Sequence, residues 1–237
     1  MTWSIVARDK RTGHLGIAVS TCAFAVGARV PFVETGTGAV ATQAFVNPFY
    51  GLRGLELLRA GFSAEDVIER ITEADAGRAQ RQVHVTDRAG RFAAYTGMEC
   101  VPWCGHLLDE TFSVAGNMLA NEDVVPETAR AFRELEALPL ARRLVAALKA
   151  GEAAGGDKRG RQSAALVVHD SEEYPLVDLR VDDHADPLAE LERLEAVSRQ
   201  RFLHYRKFMP SRAHPAGIID RAEIESRIAQ SIANGEP

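Results

Sequence analysis

The order in which extended and helical stretches alternate constrains this chain more than any single residue does. W-S-I-V-A-R at residues 3–8 reads as a strand, D-K-R-T-G at 9–13 as a turn and H-L-G-I-A-V-S-T at 14–21 as a second strand. Together they form a hairpin that begins at the second residue. A third extended run over 37–45 is built of small apolar residues, the pattern of a strand buried on both faces. Pro48 opens a helix through Leu52, Leu55 and Leu58 that Gly61 ends, and Ser63 with Asp66 caps a second helix carrying Val67, Ile68 and Ile71. Strand-like runs follow at 82–86, 91–96 and 111–115, then helical sequence over 126–151 that Pro139 breaks for want of a donor. Strands at 163–169 and 176–181 and an amphipathic helix from Pro187, with Leu188, Leu191, Leu194 and Val197 on one side, complete the pattern. Blocks of strands alternating with pairs of helices predict α+β layering with mainly antiparallel pairing, not a doubly wound parallel sheet. Beyond Met209 the pattern weakens, with Asp220 and Glu223 capping a last helix that holds Ile224 and Ile228. The expected organisation is therefore one domain over 1–209 and a tail over 210–237 with a short helix.

Composition narrows the function classes. With a formal net charge of -5, the chain lacks the concentrated basic surface that phosphate binding needs, so nucleic acid is not the expected partner. No run approaches a membrane span and no leader pattern is read, so no membrane association is expected. Three cysteines, an odd number, suit a reducing compartment, and the expected location is cytoplasmic. No phosphate-loop or dinucleotide pattern is present, so no cofactor is expected.

Several segments share one resemblance: T-W-S-I-V-A-R-D from Thr2, G-A-V-A-T-Q-A from Gly38, N-P-F-Y-G from Asn47, R-G-L-E-L-L from Arg53 and R-Q-V from Arg81. Further on come C-V-P-W-C-G-H from Cys100, F-S-V-A-G-N-M-L from Phe112, G-G-D-K-R-G-R-Q-S-A-A-L from Gly155 and D-L-R-V-D-D-H from Asp178. In this order, over about residues 2–200, they resemble the domain of unknown function 1028 family. That family is placed with the N-terminal-nucleophile (Ntn) hydrolases. The resemblance therefore implies a four-layer αββα sandwich of mainly antiparallel sheets, and hydrolysis of an amide in a small molecule or short peptide.

Such chemistry needs a nucleophile, a base and an oxyanion donor. Thr2 supplies the first two once Met1 is removed, because the freed α-amine titrates at about 7.7–8.0 beside its own hydroxyl. The other reading is a polar first residue of an edge strand. Ser20, at the end of the second strand, is expected to orient the amine, and backbone N–H groups near Gly38 or the Asn117 amide to bind the oxyanion. Asn117 reads equally well as a turn residue. Gln43 and Asn47 suggest either a polar substrate pocket or a satisfied core network. In the charged loop 157–161, Arg161 is the candidate clamp for a substrate carboxylate, the alternative being a solvated loop. The lysine that proteasome-type enzymes keep near the nucleophile has no counterpart between Lys10 and Lys149, unless Arg29 or another cation replaces it. Cys100, Cys104 and His106 lack zinc-ribbon spacing and read as core residues, so no metal is expected. Two further readings keep the fold without the chemistry: a small-ligand-binding protein, and an assembly component whose segment 188–205 makes the contact. A homodimer is compatible with all three and is the expected state.

Overall fold

A computed structural model describes residues 2–235. It divides into two compact units, Met1–Leu191 and Glu192–Pro237. The boundary lies inside the helix Pro187–Ser198 and not at 209 as the sequence suggested. The reason is that Phe208 packs with Ile224 and Ile228 in a small cluster of their own, so residues up to 209 belong with the last helix.

The first unit contains ten strands in two antiparallel sheets. One sheet has the order β10-β9-β2-β1-β8-β7, formed by β1 (Thr2–Arg8), β2 (Leu15–Thr21), β7 (Gly105–Leu108), β8 (Phe112–Asn117), β9 (Ser163–His169) and β10 (Val177–Val181). The other has the order β3-β4-β5-β6, formed by β3 (Pro31–Glu34), β4 (Gly38–Ala44), β5 (Arg81–Asp87) and β6 (Phe92–Thr96). The short strands β3 and β7 escape the sequence reading because each has only four residues and none of them is fully buried. Thr2 does not head an edge strand: β1 is flanked by β2 and β8.

Alternation along β1 divides its side chains between two cores. Val6 joins Ile17, Val19, Ala39 and Ala41 in a layer between the sheets. Trp3 and Ile5 face the other way, where α3 (Val124–Glu134) and α4 (Leu140–Ala153) cover the six-stranded sheet. Pro139 caps α4, so the expected break separates two helices. On the four-stranded sheet lie α1 (Pro48–Arg59) and α2 (Ala64–Glu73), which bury Tyr50, Leu58, Val67 and Ile71 against Val40, Val83 and Val85. Close approach of α1 rests on Gly51 and Gly54, since a Cβ at Gly51 would stand 2.1 Å from the Phe32 ring. Ser63 and Asp66 form the reciprocal capping box at the start of α2, as the sequence predicts.

The second unit holds most of α5 (Pro187–Ser198), α6 (Phe202–Arg206) and α7 (Arg221–Ala233). Asp220 caps α7 by accepting from Ala222 N–H at 2.9 Å and Glu223 N–H at 3.1 Å, in line with the sequence reading. No helix among the described residues is long and apolar enough to cross a membrane.

Candidate functional site

The side chains of β1 on the side of the other sheet are Thr2, Ser4, Val6 and Arg8, and the two at the start of the strand, Thr2 and Ser4, are polar. Both find partners at once. Thr2 Oγ1 donates to Thr21 Oγ1 at 3.2 Å. Ser4 Oγ donates to Gln43 Oε1 at 2.6 Å and lies 2.8 Å from His84 Nε2, whose other ring nitrogen is 2.8 Å from Ser113 Oγ. Full burial makes a charged imidazole costly and pushes the His84 pKa down to about 3, so the ring is neutral. The serines and His84 thus join the two sheets through uncharged hydrogen bonds.

Three side-chain amides continue the network toward the start of β1. Gln43 Nε2 donates to Gln82 Oε1 at 2.8 Å, to Ala115 O at 3.0 Å and to Thr2 O at 3.4 Å. Asn117 Nδ2 donates to Gln82 Oε1 at 3.0 Å and Thr2 O at 3.2 Å. Gln82 Nε2 donates to Thr96 Oγ1, Gly105 O and Gly116 O. An amide nitrogen has two protons. Those of Gln43 go to Gln82 and the Ala115 carbonyl, with the Thr2 carbonyl a longer third contact, and those of Asn117 go to Gln82 and the Thr2 carbonyl, so Asn117 is the amide that holds Thr2. Asn117 is therefore a clamp on Thr2 and does not offer an oxyanion donor. Of the two readings of Gln43, the satisfied core network is the one present.

Around this end of the sheets the loops are held by a buried carboxylate. Asp157 accepts from Cys22 N–H at 2.8 Å and from Arg159 N–H at 2.8 Å, and bridges to Leu119. It thereby ties the loops that follow β2 and β8 to the one that precedes β9. Two of these loops carry non-glycine residues with a left-handed backbone, Ala25 (φ 53°) and Met118 (φ 59°), and the third such residue among those described, Ala44 (φ 69°), ends β4. Such conformations cost about 1–3 kcal/mol each and collect at functional sites.

The remaining sequence candidates fall elsewhere. Ser20 pairs with Trp3, one residue out of phase with Thr2, and so faces α3 and α4; Thr21 takes the place expected of it. Counting pairs outward from the Asp9–His14 turn finds Thr21, a step the sequence reading omitted. Gly38 starts β4 whereas Gln43 is near its end, which sets the two roughly 16 Å apart by strand rise. Gly38 thus belongs to the opposite end of the sheets. Asn47 caps α1 by accepting from Phe49 N–H at 3.1 Å and lines a cleft of about 640 Å³ with Tyr50, Arg53, Arg70 and Asp75. Arg161 is spent on Glu152 at 2.7 Å and Asp186 at 3.1 Å and offers no open fork. Arg29 holds the carbonyl of Phe24. Gln82, His84 and Asp157 were missed as site builders, because an isolated polar residue in an apolar strand or a charged loop shows nothing of its partner across the sheets.

Cys100 and Cys104 carry thiols raised by burial, that of Cys100 to about 11, the reverse of what a metal thiolate needs. His106 is engaged with Thr96 Oγ1 at 2.9 Å. Among the described residues no group of His, Cys, Asp and Glu is placed to hold a metal ion.

A sequence model described as "Family of unknown function (DUF1028)" matches residues 2–191, ending where the first compact unit ends. Among solved structures, the crystal structure of protein SPO2555 from Silicibacter pomeroyi, assigned to DUF1028, is 34% identical with a TM-score of 0.85. It covers 92% of this chain and 99% of its own. Two further structures are far more distant. Anbu (ancestral beta-subunit) from Yersinia bercovieri is 9% identical with a TM-score of 0.44, covering 83% of this chain and 94% of its own. An Anbu mutant from Hyphomicrobium sp. strain MC1 is 12% identical with a TM-score of 0.45, covering 85% and 96%. No curated protein matches the sequence.

Proposed function

The chain belongs to the DUF1028 family of unknown function, and on the geometry at Thr2 we propose that it is an N-terminal-nucleophile amidohydrolase with the four-layer αββα sandwich of that class. The observation that carries this reading is the position of Thr2. It opens an interior strand, its hydroxyl faces the space between the sheets beside Thr21, and its carbonyl is held by Asn117. A nucleophile needs that rigidity to hold its attack geometry.

In the reaction, the Thr2 α-amine, free once Met1 is removed, takes the hydroxyl proton as Oγ1 bonds to the amide carbon. The tetrahedral species collapses with loss of the amine, which leaves with that proton, and water then hydrolyses the Thr2 ester. Met1 itself lies outside the described residues. Intact mass of protein from its own host is expected to show Thr2 as the first residue, and Thr2→Ala to lower turnover of small amides at least 10³-fold with unfolding unchanged. An active protein that retains Met1 removes the proposal.

One observation favours a second reading, a non-catalytic ligand-binding protein. The cleft lined by Asn47, Tyr50, Arg53 and Asp75 lies along α1 and does not include Thr2. Under this reading a ligand binds equally well to wild type and Thr2→Ala.

A further inference from the structure

The hydroxyl of Thr2 meets another hydroxyl, 3.2 Å away at Thr21, and both residues are buried, Thr2 at 7% exposure and Thr21 at 1%. Different strand pairs fix the two oxygens. Thr2 is set by β1 against β8, where it pairs with Asn117 and has its carbonyl held by the Asn117 amide. Thr21 ends β2 and pairs with Ser163 on β9. The Thr21 carbonyl accepts from Gln162 N–H at 3.0 Å, and the next N–H, that of Cys22, donates to the buried Asp157 carboxylate at 2.8 Å. A β-branched side chain on so fixed a backbone has few χ1 choices, so strand pairing places its Oγ1. Ser20, one residue earlier, faces α3 and α4, and Val19, the next β2 residue on the Thr21 face, is apolar. Thr21 is thus the hydroxyl that β2 presents to Thr2.

The proposed chemistry makes a demand on this contact. Thr2 Oγ1 carries one proton, and the α-amine must take it. While that proton points at Thr21 it is not on the amine. A hydroxyl both donates and accepts, and its hydrogen rotates. When the Thr2 proton turns to the amine, the Thr21 hydroxyl donates to Oγ1 in its place and the oxygen does not move. Oγ1 then has a donor beside it as it loses its proton and gains charge, in a buried site where such a donor is worth more than in water. The groups beneath Thr2 supply no charge for this: Ser4, Gln43, Gln82 and Asn117 are neutral, and burial keeps His84 neutral too. No lysine stands between Lys10 and Lys149 in the chain.

We infer that Thr21 is the positioning residue of the nucleophile: its hydroxyl fixes Thr2 Oγ1 and donates to it while the α-amine draws the proton away. The inference rests on the reading of Thr2 as nucleophile and adds the group that aims it. Thr21 keeps its own proton throughout, since it lends a hydrogen bond and transfers nothing. Two substitutions separate this role from packing. Valine keeps the shape of Thr21 and removes the oxygen, whereas serine keeps the oxygen and removes the methyl group. A hydroxyl role ranks serine above valine, and a packing role ranks them the other way.

The test labels full-length protein with phenylmethylsulfonyl fluoride, a probe that requires no knowledge of the substrate. Thr2 Oγ1 bonds to sulfur, the sulfur–fluorine bond breaks, fluoride leaves and the hydroxyl proton passes to the α-amine. The adduct is read by mass on the N-terminal peptide, with Thr2→Ala, which keeps an α-amine, as the background. For Thr21→Val the maximal labelling rate is expected to fall about 10–100-fold, the worth of one hydrogen bond to a charged group, with the half-saturating concentration unchanged. Thr21→Ser is expected to stay within about threefold of wild type. Should the valine variant fail to fold, Thr21→Ala takes its place and is expected to be as slow. If the variant lacking the hydroxyl labels as fast as wild type, or serine is no faster than valine, Thr21 acts through its shape or not at all. The inference is then overturned and the nucleophile survives. If wild type labels no faster than Thr2→Ala, the nucleophile reading falls and this inference falls with it.

Discussion

The two ends of the paired sheets both use a buried aspartate to order their loops, Asp157 at the Thr2 end, and differ in which residues take the left-handed positions and in what the loop tips expose. At the end away from Thr2 the connections are short and polar, and buried aspartates organise them: Asp9 accepts from Arg11 N–H at 2.8 Å, and Asp87 accepts from Ala89 N–H at 2.9 Å and Arg91 Nε at 2.7 Å. Where those turns go left-handed they use glycine, at Gly13, Gly36 and Gly90. At the Thr2 end the loops are apolar at their tips, and the left-handed positions include Ala25, Ala44 and Met118. One end minimises its own free energy. The other holds conformations that its residues disfavour, which is the distribution expected when loops serve a ligand more than the fold.

The comparison breaks most sharply at Gly38, on the polar end. A Cβ there would stand 2.2 Å from the Thr86 carbonyl oxygen, a backbone atom, at φ 152°. Gly38→Ala is expected to cost about 3 kcal/mol or more, read as a fall in Tm of roughly 6–12 °C for a unit of this size. Turnover per folded molecule is expected to stay at the wild-type value. A selective loss of activity from this variant would show that the ends are coupled and that the division drawn above is wrong.

A smaller effect separates the network beneath Thr2 from the far-end carboxylates by pH. Unfolded histidine takes a proton near pH 6.5, while native His84 resists until about pH 3 because burial penalises its charged form. Between those values the unfolded chain binds more protons, so stability falls as pH falls. From pH 7 to 4 the loss is expected to be about 3 kcal/mol, measured by urea unfolding. Asp9 acts lower. Its burial is outweighed by hydrogen bonds from Arg11 and Thr12, which hold its carboxyl below the usual range, so its contribution fades only under about pH 4. His84→Gln is expected to remove most of the slope above pH 4, with His106, also lowered by burial, supplying the remainder, and to leave the steeper loss below it. A slope as large in the variant as in wild type places the titrating group elsewhere.

How much of this was legible depended on whether the information was local. The first hairpin, the helices opened by Pro48 and Pro187, the capping box at Ser63 and the cap at Asp220 are written within a few residues of each other, and each appears where the sequence puts it. Thr2 as the opening residue of a strand was legible for the same reason. Partners across the sheets were not. Gln43, Gln82 and Asn117 stand on three strands and become one network only when the sheets face each other, so neither sequence reading of Asn117, an oxyanion donor or a turn residue, names its bonds to Gln82 and the Thr2 carbonyl. Ser20 was misassigned in place of Thr21 by one step of strand parity, since a strand shows its alternation but not which face meets the site.

The smallest expected effect is also the most direct reading of strain. Ala44 pays for a left-handed backbone that glycine adopts freely, so Ala44→Gly is expected to raise stability by about 0.5–1 kcal/mol. Gly36→Ala is its mirror at the polar end: φ is 73° and nothing lies within 4 Å of the added Cβ, so the cost is backbone alone, about 1 kcal/mol. Because Ala44 follows Gln43, whose amide bonds Gln82 in the network beneath Thr2, loosening it is expected to lower kcat/KM several-fold, whereas Gly36→Ala leaves it unchanged. Urea unfolding and steady-state rates on the two variants give four numbers whose signs are all fixed in advance. If Ala44→Gly gains stability at no kinetic cost, the strain at the Thr2 end is incidental to the chemistry. If it loses stability, Ala44 is held by packing of its methyl group, and the contrast between the ends rests on the exposed loop tips alone.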